Sequence, residues 1–230
     1  MSGLRADARV AWAIARKDGL AELRGRHVLV STLFFAGLVL LLFGFALGPD
    51  SRRLAEAAPG LLWLAIVFAG LLAVGRLHLL ETDDSALEQL TLYPVERHAI
   101  YLGKALAGFA TMAVLGIVLL GVVAILYGLD VVTAWPALVL TVVLGAFGFA
   151  AIGTFYAALT VRLRAREVML PLLMLPIVAP LLLAAVNATA AALAGDPLDE
   201  LGMWLQLLGA FDVVMVVIAA GSYGFLLEEA

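Results

Sequence analysis

Two places in this chain carry residue types that could do more than pack. The first runs from Glu81 to Pro94, E-T-D-D-S-A-L-E-Q-L-T-L-Y-P, the only polar segment of any length after the N-terminal arm. Ser85-Ala86-Leu87-Glu88 has capping-box spacing, in which a hydroxyl accepts from the first amides of a helix and a carboxylate reaches back. Asp83 and Asp84 sit just ahead of it, where the positive end of a helix favours acids. Leu87, Leu90 and Thr91 share one face. Pro94 ends the turn, because it has no amide to donate and drives Tyr93 out of the helical region. The expectation is a short helix with an acidic start and an exposed leucine edge, suited to docking on a protein. A solvated loop with an ordinary capped turn is the plainer reading. The second place is Asp212, an acid in the middle of a long apolar run, where charge is costly and function is the default reading. It either lines a path or pairs with a neighbouring helix, or it serves only as a hydrogen-bonding group.

Other chemistry is narrowed by what the sequence lacks. Lys17 and Lys104 are the only lysines, and neither closes a G-x-x-x-x-G-K-[ST] run, so the chain is not itself a P-loop ATPase. The absence of cysteine excludes disulfides, thiolate catalysis, iron–sulfur clusters and C-x-x-C-H haem attachment. There is no H-E-x-x-H, and His27, His78 and His98 are scattered, each read as solvated or hydrogen-bonded before being read as a ligand. Met169 and Met174 are read as packing residues. With no nucleophile–base or metal set, the chain is not expected to be an enzyme. A formal net charge of −4 gives no support to nucleic-acid binding.

The elements that hold these residues are set by the membrane. The 230 residues are 64% hydrophobic and 14% charged, with a mean hydropathy of +1.10. The charges are concentrated between apolar runs, each about long enough to cross ~30 Å of hydrocarbon. The spans are expected at about 28–47, 57–75, 105–126, 132–161, 168–193 and 201–227. In lipid every backbone group must be satisfied internally, so runs without strand alternation are helices. The fold class is all-α: a polytopic membrane protein with six transmembrane helices, an N-terminal interfacial helix and a short cytoplasmic coupling helix between spans two and three. Residues 1–27 form the interfacial helix and 28–230 the six-span domain, with a cytoplasmic loop over 76–104. The N-terminal arm has an apolar stripe of Leu4, Ala8, Ala11 and Ala15, a basic stripe of Arg5, Arg9 and Arg16, and Trp12 at the border.

Twelve of the fourteen Lys/Arg fall on one side (the arm, Arg76, Arg97, Lys104, Arg162, Arg164 and Arg166), against Arg52 and Arg53 on the other. That asymmetry places both termini in the cytoplasm. Trp63, Trp135 and Trp204 fall at the outer ends of spans, as an aromatic belt would. Ala146, Ala150, Thr154 and Ala158 form a small-residue stripe for close packing of the fourth span. Pro171, Pro176 and Pro180 are expected to kink the fifth.

With these residues in hand, the acidic segment resembles one from a known family. Asp84-Ser85-Ala86-Leu87-Glu88-Gln89-Leu90 with Pro94 is similar to the D-G-[ST]-L-E-Q-L-x-x-x-P segment of the haem exporter protein B (CcmB) family, the membrane subunit of the cytochrome c maturation ABC transporter. Gly48-Pro49-Asp50, Ala58-Pro59-Gly60-Leu61-Leu62-Trp63, Lys104, and Leu175-Pro176 with Pro180 match in order, so the resemblance covers nearly the whole chain. Ser85 and Ala86 depart from the family's glycine and Ser/Thr, which shifts the cap.

The resemblance implies an ABC permease subunit in the inner (cytoplasmic) membrane of a prokaryote. It implies a partner ABC ATPase that hydrolyses ATP, a haem-handling membrane subunit, a haem chaperone and a second copy of the chain. Asp84, Leu87, Glu88, Gln89, Leu90 and Pro94 would contact the ATPase. Haem would be a substrate and not a resident cofactor. The alternative within the same system is a mechanical or scaffold subunit that transmits ATPase motion to release a haem-loaded chaperone.

Overall fold

The computed structural model describes residues 2–83, 97–160, 166–196 and 198–228. Within them all regular structure is helical: α1 (Ser2–Arg24), α2 (Arg26–Leu47), α3 (Ser51–Asp83), α4 (Arg97–Tyr127), α5 (Trp135–Thr160), α6 (Arg166–Leu193) and α7 (Leu201–Glu228). Windows apolar and long enough to cross a bilayer lie in α2 to α7, at Leu29–Leu47, Ser51–Ala73, His98–Tyr127, Trp135–Thr160, Val168–Leu193 and Leu201–Tyr223. The fold is therefore an all-helical polytopic membrane bundle with six spans.

The turns away from the basic end are short and built from local chemistry. Gly48 takes φ 77°, and its amide reaches Phe45 O at 3.2 Å. Asp50 then caps α3, its Oδ1 accepting from the amides of Arg52 at 3.0 Å and Arg53 at 3.3 Å. Asp196 does the same for α7, accepting from Glu200 N at 2.8 Å and Leu201 N at 3.0 Å. Gly128 (φ 62°) ends α4, and Asp130 Oδ1 accepts from Val132 N at 3.1 Å in the turn that follows.

α5 is the centre of the bundle, packing against α3, α4, α6 and α7. Its sequence permits this, because Gly145, Ala146, Gly148, Ala150, Gly153 and Thr154 are all buried. Small residues let helix backbones approach where lipid gives no hydrophobic drive between helices. Trp63 fills the space over Gly145, where an added Cβ would overlap its ring, and its Nε1 donates to Thr189 Oγ1 at 2.9 Å. Trp63 thus does not belong to an aromatic belt. It is 2% exposed and joins α3, α5 and α6. Trp135 remains exposed.

Two further differences from the sequence expectation have plain causes. α3 runs on past Gly75 to Asp83 and α4 begins at Arg97, so much of the expected loop 76–104 is helical extension. Polar residues such as Arg76 and Glu81 end a span but do not end a helix, and nothing between them breaks one. Asp83 is accordingly the last residue of α3. Pro171, Pro176 and Pro180 all lie within α6. On α1, Ala8 is exposed while Ala11 and Ile14 are buried, so the packed stripe is turned from the expected one. Alanines carry little apolar area, and Ile14 decides the face.

Candidate functional site

Of the residues expected to grip an ATPase, Asp84, Leu87, Glu88, Gln89, Leu90 and Pro94 all lie outside the described residues. The structure does describe what the segment joins. α4 enters the bundle through a tight cluster at the basic end, where Ile14 of α1 packs with Ile100, Tyr101 and Ala105 of α4 and with Ala219 and Tyr223 of α7. The Tyr101 hydroxyl donates to Ala151 O on α5 at 3.1 Å, and its ring lies 5.3 Å from that of Tyr223. An added Cβ on Gly103 would lie 2.7 Å from Ala11 O and 2.8 Å from Ile14 Cβ, so only glycine lets α1 sit this close. His98 Nε2 lies 3.7 Å from Asp7 Oδ2, a further tie between α4 and α1. Lys104 is buried in the same first turns, 4% exposed. The first turns of the helix that begins at Arg97 are thereby packed on α1, α5 and α7.

Asp212 sits elsewhere, at mid-depth of its span. Its side chain is 3% exposed, although the adjoining Val213 and Val214 face outward. The carboxyl meets α5 at Gly148, where an added Cβ would overlap its Oδ1 and also Leu181 Cδ1 of α6. Neither carboxylate oxygen has a hydrogen-bond partner among the described residues. Gly148 and Leu181 are themselves near the middle of their own spans. Sequence reasoning found the acid and its depth but missed Gly148, two positions from Ala146 and Ala150 of the stripe it did identify on α5.

The proline set faces the periphery: Pro176 and Pro180 are exposed and Pro171 is half-buried. Among the described residues, no three His, Asp or Glu side chains converge in a way that could hold a metal ion. A largely apolar groove of about 390 Å³ opens at the end opposite the basic one, lined by Leu41, Gly44, Phe45, Leu54, Leu126 and Tyr127 among others. Its floor is fixed by the Tyr127 hydroxyl, which donates to Leu40 O at 2.9 Å.

The model of the family described as CcmB protein matches residues 9–228. Heme exporter protein B of Haemophilus influenzae is 34% identical over 206 residues, covering 90% of this chain and 91% of that protein. Heme exporter protein B of Pseudomonas aeruginosa is 33% identical over 195 residues, covering 84% and 87%. The Escherichia coli K12 protein of the same name is 35% identical over 221 residues, covering 86% and 89%.

Proposed function

The chain belongs to the CcmB protein family, and from that premise we propose that it is the permease subunit of an ABC transporter of cytochrome c maturation. In this reading it is associated with export of haem, or its delivery, to the outer face of the cytoplasmic membrane. The observation that carries the reading is similarity over nearly the whole chain to proteins named heme exporter protein B, in a bundle with six apolar spans. ATP is hydrolysed by a separate ATPase subunit, since neither lysine of this chain ends a phosphate-cradling loop. Haem is substrate, and a haem-handling membrane subunit, a haem chaperone and a second copy of the chain complete the assembly.

Both termini are cytoplasmic, in keeping with the basic asymmetry. Residues 1–27 lie as an interfacial helix beside the domain of residues 28–230, with Trp12 (68% exposed) toward the headgroups. Asp84, Leu87, Glu88, Gln89, Leu90 and Pro94 dock on the ATPase, and closure of the ATPase pair rocks α3 and α4. Asp212 is the intramembrane functional residue.

The test is Leu87→Arg combined with Leu90→Arg. Loss of co-purification with the ATPase, at unchanged membrane level of the chain, is expected; undiminished co-purification refutes the docking assignment.

The filled interior favours a second reading of the same machine. Trp63, Leu181 and Asp212 occupy the space around Gly145 and Gly148 of α5, and Met112 and Phe149 that over Gly70 of α3. A bundle packed this way suits a subunit that transmits ATPase motion to release a haem-loaded chaperone, with no haem passing between its own helices.

A further inference from the structure

Shape and solvation oppose each other where α5 meets α7. Gly148 leaves room for an acid of the facing helix: any side chain there would collide with Asp212 Oδ1 and Leu181. The same contact buries the Asp212 carboxyl, at 3% exposure, with neither oxygen partnered among the described residues. A buried acceptor without a donor penalises the arrangement that buries it. Packing therefore draws the seam shut, while the carboxyl favours a seam wide enough to admit water. No Asp, Glu, Lys or Arg occurs in residues 105–126 of α4, 135–160 of α5 or 168–193 of α6, the elements packed on α7. No charged side chain of those stretches relieves the acid.

We infer that the Asp212–Gly148 contact is a mid-membrane latch, and that the seam between α5 and α7 has two states: the closed one seen here and a wider one in which the carboxyl is hydrated. Interfaces with two discrete packings are what convert a small displacement into a large one. This deepens the reading of Asp212 given above by naming the element it biases, and its test needs neither haem nor cytochrome maturation.

The chain has no cysteine, so Leu140→Cys on α5 and Met203→Cys on α7, both at exposed positions, give a clean pair for spin labels. Pulsed electron-spin distance measurements are made on the complex purified from its native membrane, in lipid nanodiscs, with and without MgATP. The parent pair is expected to show two distance populations. Asp212→Leu, which keeps the forked outline without the oxygens, is expected to shift the ratio toward the shorter distance by about fivefold or more. Gly148→Ala is expected to shift it toward the longer, and Asp212→Asn to keep both populations. If Asp212→Leu fails to assemble, Asp212→Ala supplies the apolar replacement. A single population in the parent, or an unchanged ratio in the apolar variant, overturns the latch. Collapse in Asp212→Asn does so as well, because an unpartnered amide resists burial too.

Discussion

α2 and α5 are both apolar along their whole length, yet 67% of the α5 window is buried in the bundle and only 17% of the α2 window. Hydrophobicity does not separate them, because lipid tails are as apolar as leucine. Side-chain size does. α5 presents glycines on which Trp63, Asp212 and Leu181 close, whereas α2 turns Phe34, Phe35, Leu42 and Phe45 outward. In this bundle the span rich in small residues lies inside, where large side chains such as Trp63 close over its glycines, and the span rich in exposed phenylalanines lies outside.

The comparison is broken most severely at Trp63. Trp63→Ala removes the side chain that joins α3, α5 and α6, and is expected to destabilise the chain by about 3 kcal/mol in equilibrium unfolding from mixed micelles. Gly145→Val should follow at about 2 kcal/mol, since the added methyls meet the Trp63 ring in a space that cannot widen without separating α3 from α5. At the other extreme, Phe34→Ala on α2 should stay within about 0.5 kcal/mol, exchanging one lipid-facing surface for another. A loss at Phe34 as large as that at Gly145 would mean that α2 is covered by protein, as a second copy would do. The same micelle titration reads all three.

These variants also separate what the sequence makes legible from what it hides. Span length and count follow from the reach of the chain across hydrocarbon, and the six windows fall where uninterrupted apolar runs require them. The stripe Ala146, Ala150, Thr154 and Ala158 announces a packed face, and the first three are buried while Ala158 is half-buried. Trp63 is misread from sequence because depth in the membrane can be counted along a helix, whereas the direction a ring faces depends on a partner 126 residues away, Thr189. Asp212 illustrates the same divide. Its level in the bilayer is a matter of counting, but its notch at Gly148 is made by two helices far apart in the chain. The polar segment after span two deceives differently. Loss of apolar character looks like the end of an element, although α3 continues as helix to Asp83.

The glycine at position 103 has a consequence for how force travels. With no side chain on Gly103 to hold them apart, the N-terminal helix and the first turns of α4 pack as one girder. A pull on the chain at Arg97 is then felt as a swing of the amino-terminal arm. Conversely, anything that anchors that arm damps a displacement of α4 before it reaches the interior.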